Sequence, residues 1–387
     1  MRDVRVVGVG MTPQGRLSQG PAELARAAAH EALADAGVEV ERLSLVVVSN
    51  ALGGLLCDQE CVRGQSWLHR AGLGTAHVVN VDNGCAGGAT ALHLGQLAVR
   101  AGGGPVLVLG VEKMWTGDRA ATLNGIENCL AADERPSLRA TTGLRSGSVF
   151  MGFNSEWARH QLADRGHTLD ELAATAVKAR RHGALNPLAQ HRQEVTAEEV
   201  LGSPPVEPPL TRLMCSSFTD GAAAVVLSSE PVPSAPRIRA SVVRSGDGSS
   251  DYHSRLTELA KATWDVAAIG PQDVDVLELH DATSAEELYA LESLGFFDEG
   301  EAGRATVSGA TSLGTDGVVV NPSGGLVARG HPLGATGICQ VVELVHQLRG
   351  SAGPRQVDDA ALGVAVNTGG IISGDVAAIG VHVLERT

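Results

Sequence analysis

Short runs of β-branched and aliphatic residues alternate with stretches of three-to-four spacing along most of the chain. Residues 4–9 read as a strand, 21–36 as a helix stopped by Gly37, and 43–48 as a second, short apolar strand. A glycine-bearing loop over 50–54 and a helix over 59–70 follow. Residues 76–81 form a further β-branched run. The helix predicted over 89–100 carries Ala89, Leu92 and Val99 near one face, and 105–110 reads as a buried strand. Strands alternating with helices in this order predict parallel βαβ units, hence an α/β fold.

From about residue 112 to 213 the pattern changes to longer polar stretches, with a helix over 169–181 and a proline cluster at Pro204, Pro205, Pro208 and Pro209. This segment reads as an insertion of helices and loops, placed as a lid. Strand character resumes over 217–227, and the proline-rich 231–236 marks a boundary. Beyond it come a strand (238–244), a helix (253–266), a strand (274–279), helices (283–294 and 334–348) and closing strands (361–366 and 376–383). The second half repeats the element order of the first, which points to an internal duplication whose loop ends share one site. The expected division is 1–235, with 112–213 inserted, and 236–387.

Composition narrows the function classes. Of 387 residues, 43% are hydrophobic and 19% charged, enough for a substantial core. Aromatics at 3% and a formal charge of −14 exclude a base-stacking platform and a basic nucleic-acid footprint. The densest basic run, Lys178-Ala179-Arg180-Arg181-His182, leaves room for an anionic ligand such as coenzyme A. Six cysteines (57, 61, 85, 129, 215 and 339) are scattered, which is not a disulfide framework, and the Cys57/Cys61 pair lacks the second pair of a zinc site. No apolar run approaches a membrane span, and the chain enters its first strand without a signal peptide, so a reducing cytoplasm is expected.

Candidate chemistry gathers at glycine-rich turns. Asn83-Gly84-Cys85-Ala86-Gly87-Gly88 reads as strand, tight turn and helix, with a thiol at the helix entrance, where the dipole and free N–H groups favour thiolate. A plain buried cysteine is the alternative for this stretch taken alone. His280 ends a strand just before a helix, where ligand sites of parallel sheets gather, with Asp281 or Thr283 as the helix cap. His331 sits in the rigid Gly330-His331-Pro332 turn, shortly after Asn321-Pro322-Ser323-Gly324-Gly325. Asn367-Thr368-Gly369-Gly370 reads as a polar glycine loop. His93 lies inside a helix, and His30, His160 and His346 read as helical and solvent-facing. A cysteine and two loop histidines suit acyl transfer: the thiolate attacks a thioester carbonyl, one histidine takes the thiol proton, and the second holds the oxyanion with backbone donors such as Gly369 and Gly370.

These stretches resemble the thiolase superfamily, in particular its sterol-carrier-protein-x (lipid-transfer-protein) type. The resemblance runs through the Cys85 loop, residues 178–187, Cys215-Ser216-Ser217-Phe218-Thr219-Asp220-Gly221, His280-Asp281, and most specifically Asn321–Gly325 with Gly330-His331-Pro332-Leu333-Gly334. It implies two duplicated βαβαβαββ halves in a five-layered α-β-α-β-α arrangement with a loop domain in the first half. It further implies a homodimer acting on acyl-CoA without a metal or other cofactor. By resemblance, Cys85 carries the acyl group, His331 activates it, and His280 serves the oxyanion or a water. Asn367, Gly369 and Gly370 supply the backbone loop, and Arg180, Arg181, Ser323 and Gly324 meet the coenzyme. One departure matters: the second acid/base cysteine of the family is absent, since residues 367–370 hold no thiol and Ala282 follows the His-Asp pair. The implied activity is C–C bond formation or cleavage through an acyl-Cys85 thioester. The alternative is a retro-aldolase-type lyase on steroid side-chain CoA esters, acting with an OB-fold and zinc-ribbon partner.

Overall fold

The computed structural model describes residues 2–74, 76–142 and 148–387. Its strands are β1 (Arg5–Met11), β2 (Leu45–Ser49), β3 (Val78–Val81), β4 (Val106–Glu112), β5 (Pro205–Glu207), β6 (Leu210–Thr211), β7 (Gly221–Ser228), β8 (Arg237–Ser245), β9 (Val276–Glu278), β10 (Val319–Val320), β11 (Leu362–Ile372) and β12 (Asp375–Glu385). Ten of them run in the order β10-β9-β11-β12-β8-β1-β7-β4-β2-β3, while β5 and β6 form a separate hairpin. The ten fall into two sets of five with the same topology. In the first, β2, β3 and β4 are parallel and β7 lies antiparallel between β4 and β1. In the second, β9, β10 and β11 are parallel and β12 lies antiparallel between β11 and β8. A single residue pair, Arg5 with Arg237, joins the sets at β1 and β8.

Every residue of β4 and β7 is buried, which is why these segments are apolar almost throughout, Glu112 and Ser228 standing at their ends: helices cover both faces. The helices Gly87–Arg100 and Thr336–Leu348 form the middle layer. The first packs on β2 and β4 and also on β8 and β12; the second packs on β11 and also on β7 and β1. Pro21–Ala36 covers the outside of the first set and Tyr252–Ala267 the outside of the second, completing five layers.

The two middle helices meet at their N-terminal ends through glycine. A Cβ on Gly88 would stand 3.0 Å from the Gly337 nitrogen, and one on Gly337 only 2.6 Å from the Ala89 nitrogen. Backbone-on-backbone contact brings the turn before each helix, carrying Cys85 in one case and His331 in the other, to the same place. Gly337→Ala is expected to destabilise the protein by about 1–3 kcal/mol, since the new methyl meets main chain that cannot rotate away. An unchanged urea midpoint would exclude this role for the crossing.

The insertion is helical, with Arg119–Glu127, Arg135–Thr142, Val149–Ala163 and Leu169–Leu185 as its main pieces. Leu169–Leu185 begins with a capping box between Thr168 and Glu171. It docks on the second half through a buried ion pair, Lys178 to Glu287 at 2.6 Å. Two expected elements differ. The helix placed over 59–70 starts at Arg63, with a separate short helix at Gly53–Leu56. The loop expected at 367–370 is part of β11, paired to β12, because Gly369 is held by tertiary contact rather than by turn chemistry. Among the described residues no helix is long and apolar enough to cross a membrane.

Candidate active site

Cys85 lies in the turn between β3 and helix Gly87–Arg100. The turn is shaped by Gly84 at φ +53° and backed by β11. Only glycine fits at 369, since a Cβ there would fall 2.3 Å from the Ala86 nitrogen and 2.6 Å from the Asn83 carbonyl. Gly370, at φ +69°, is skipped in the β11–β12 register. The Cys85 thiol and one ring nitrogen each from His280 and His331 lie within 4.8 Å of one another. The two imidazoles are edge-to-face, with centroids 5.0 Å apart and planes at 82°.

Hydrogen bonds assign each ring's tautomer. The Thr336 hydroxyl donates to the Pro332 carbonyl at 3.0 Å, so at 2.7 Å from His331 it accepts from Nδ1–H. His280 Nδ1–H donates to Glu286 Oε1 at 2.8 Å, and Thr368 Oγ1 stands 3.0 Å from the same nitrogen. Glu286 also receives the Tyr252 hydroxyl, the Thr368 hydroxyl and the Ala282 N–H. Both rings therefore keep their proton on Nδ1 and carry a bare Nε2. His280 Nε2 is buried and has no hydrogen-bond partner among the described residues. The helix cap expected from Asp281 or Thr283 takes another form: Thr283 caps without a side-chain bond to its helix and donates to Asn154, while Asp281 accepts from Leu326 N–H.

The His331 turn is pinned on three sides. Its N–H donates to Thr219 Oγ1 at 3.0 Å, and Gly330 at φ +117° leaves no room beside Thr219 for a side chain. Asp220 next to it gathers Lys113 and the N–H groups of Leu17, Met114 and Trp115. Buried Glu112 accepts from Gly334 N–H while also holding Asn50, Ala51 and Leu52. The Cys215–Gly221 motif thus buttresses the site.

Electrostatics correct one expectation. Burial pushes the Cys85 thiol well above the usual cysteine range, and the neighbouring Cys129 thiol, Glu286 and Glu112 push the same way. Desolvation outweighs the helix end, which begins two residues later at Gly87. Burial, then the neighbouring His280 ring and the Arg329 guanidinium, hold His331 well below its usual value. The resting pair is a neutral thiol beside a neutral imidazole, not a thiolate–imidazolium pair. Alkylation of Cys85 by iodoacetamide should therefore rise about tenfold per pH unit from 7 to 9, because only the thiolate reacts. A rate already level at pH 7 would mean a standing thiolate.

The thiol and imidazoles line a cavity of about 380 Å³ whose wall also includes Met114, Trp115, Phe150, Trp157, Phe218 and Leu333. Arg16, stacked 4.0 Å over Trp115, together with Arg119 and Arg212, adds positive charge to this wall.

Of the residues expected at the site, Cys85, His280, His331, Gly369 and Gly370 line this cavity. Asn367 is buried behind it against Gly337. Ser323 and Gly324 lie elsewhere: Ser323 is buried on Glu278 and Arg329, and Gly324 packs on Gly183. Arg181 is exposed away from the cavity. Arg180 is buried; its pKa is lowered by that burial and then by the neighbouring Arg212, so Arg212 stands at the wall in its place. Sequence reasoning missed Glu286, Thr336, Tyr252 and Arg16. Glu286 had a signal, an acid in the first turn of the helix that follows His280.

The chain matches the family model "Thiolase, N-terminal domain" over residues 4–231 and "Thiolase C-terminal domain-like" over 251–381. It is 36% identical to an acetyl-CoA acetyltransferase of Methanothermobacter thermautotrophicus, over 100% of both chains. It is 34% identical to sterol carrier protein 2 of Rattus norvegicus, over 95% of this chain and 70% of that one. A solved structure described as an Ltp2-ChsH2(DUF35) aldolase shares the fold, with TM-score 0.82 over 99% of this chain and 98% of that one at 20% identity. With its nucleophile turn, paired histidines and duplicated halves, the chain belongs to the thiolase superfamily, on its sterol-carrier-protein-x side.

Proposed function

We propose that the protein transfers acyl groups between coenzyme A thioesters through an acyl-Cys85 intermediate, making or breaking a C–C bond with histidine in place of the family's second cysteine. The observation that carries this reading is the Cys85 thiol within 4.8 Å of a ring nitrogen of both His280 and His331, in a cavity with an aromatic and aliphatic wall. In acylation the Cys85 proton passes to His331 Nε2, and the sulfur bonds to the thioester carbonyl carbon. The bond to the coenzyme sulfur breaks, and that thiolate leaves with the proton from His331. The low proton affinity of buried His331 favours this return. The developing oxyanion is assigned to backbone N–H donors of the Gly369–Gly370 stretch, which lines the cavity together with Cys85. In the second half, His280 Nε2, supported by Glu286, takes a proton from the carbon beside the acceptor's carbonyl. That carbanion attacks the acyl-cysteine and expels the Cys85 thiolate, which takes back from His280 the proton removed from the acceptor carbon.

The aromatic and aliphatic wall suits an apolar acyl chain, and Arg16, Arg119 and Arg212 suit the coenzyme's phosphates. The exposed edge strand β3, with Val79 45% exposed, and Leu94 and Leu97 on the helix beside it, supports a second copy pairing there as a homodimer. Incubation with a panel of acyl-CoAs, followed by intact and peptide mass spectrometry, tests the reading: an acyl mass is expected on Cys85. C–C cleavage without any Cys85 adduct, in a preparation that co-purifies with a zinc-ribbon protein, would instead support the retro-aldolase alternative.

A further inference from the structure

A thiol and two imidazole nitrogens within 4.8 Å of one another also make a set of metal ligands. In a tetrahedral zinc site, with Zn–S about 2.3 Å and Zn–N about 2.0 Å, ligand atoms stand about 3.3–3.6 Å apart, so side-chain rotations of about 1 Å close the set. Three features prepare it. Glu286 on His280 Nδ1 and Thr336 on His331 Nδ1 fix both rings in the tautomer that offers Nε2, the outer-shell arrangement that orients imidazole toward a metal. The perpendicular rings aim from different directions. His280 Nε2, on a side chain more than nine-tenths buried, has no hydrogen-bond partner among the described residues and faces the same cavity as the thiol.

We propose that Cys85, His280 and His331 form a three-ligand site for a thiophilic divalent cation of the Zn²⁺ class, which binds in competition with substrate and arrests the enzyme. Binding replaces the S–H bond by a Zn–S bond; the proton leaves to solvent and no redox change occurs. The cavity side leaves the fourth position to water. The ion acts here as an inhibitor, not as a cofactor: coordination uses the sulfur lone pair that would attack the thioester and both nitrogens that would move protons. Thiolate and imidazole ligands select zinc, cadmium or copper over magnesium and calcium.

The test uses the full chain stripped with EDTA and titrated with zinc chloride. It reads the metal bound against a chromophoric chelator and the rate of iodoacetamide alkylation at Cys85 by peptide mass spectrometry. One equivalent is expected to slow Cys85 alkylation by about tenfold or more, with EDTA restoring the rate and magnesium chloride leaving it unchanged. Removing a ligand in His280→Ala, or the outer-shell acid in Glu286→Gln, is expected to weaken binding by about 10–100-fold. Alkylation at an unchanged rate in excess zinc overturns the proposal, as does undiminished zinc affinity in a folded His280→Ala protein. Should His280→Ala misfold, Glu286→Gln decides by the same criterion. The readout is alkylation rather than acyl transfer, so its failure leaves the proposed reaction untouched, and the reverse holds too.

Discussion

Replacement of Cys85 by alanine is expected to lower acyl transfer by about 10⁴-fold or more while leaving the protein folded. A nucleophile that forms a covalent intermediate has no substitute in the set around it. His280 and His331 are placed to take protons, and the other two thiols that line the cavity, Cys129 and Cys215, are both pushed up to about 12, Cys129 by burial first and by Asp82 and Glu112 after it, Cys215 by burial. Structurally the change is mild. Alanine occupies less space in a turn already held by Gly369 behind it. A purely packing cysteine would give the opposite pattern, a small loss of stability with turnover intact. Steady-state turnover with an acyl-CoA that labels the parent protein, alongside a thermal melt, separates the two. Turnover within tenfold of the parent would end the covalent reading.

The architecture was legible because its central strands are covered on both faces. Residues 106–111 and 221–227 had to be unbroken runs of apolar residues and glycine, and two rounds of the same alternation had to signal duplication. The nucleophile and both histidines were legible for a related reason: each sits at the end of a strand or the start of a helix, Cys85 and His331 in glycine turns and His280 directly after an apolar strand. What could not be read depended on partners far away in sequence. Gly369 and Gly370 have turn composition, yet they occupy a strand because the Cys85 turn, more than 280 positions earlier, presses on them. The Asn321–Gly325 motif was conspicuous but serves the framework. Asn321 and Gly324 adopt positive φ, and Ser323 is enclosed by Glu278 and Arg329. The basic run at 178–182 advertised a surface, whereas Lys178, Arg180 and His182 are buried by docking on the second half. Glu286 and Glu287 are adjacent and chemically identical. About 100° of helical rotation sends one to His280 and the other to Lys178, and nothing local distinguishes them.

That pair supplies the second large expected effect. In Glu286→Gln, the amide oxygen stays with the Ala282 N–H that Oε2 now accepts, and the NH₂ group replaces Oε1 opposite His280 Nδ1. A donor facing Nδ1 turns that nitrogen into an acceptor and moves the ring proton to Nε2, so the bare base in the site is lost although size and shape are kept. The C–C bond-forming or -breaking half should fall by about 10²–10⁴-fold, the range of a lost general base. Acylation of Cys85 should change by less than about tenfold, because its proton goes to His331, which Thr336 orients independently. Single-turnover acylation followed by mass spectrometry, set against steady-state condensation or cleavage, reads the two halves apart. Equal losses in both, or none in either, would remove His280 from the role of second base. Glu287→Gln is the matched contrast. It strands the buried Lys178 ammonium and should destabilise the fold by about 3–5 kcal/mol. Since Glu287 does not touch either histidine, any activity lost there should track the fraction unfolded, whereas Glu286→Gln should fail while fully folded.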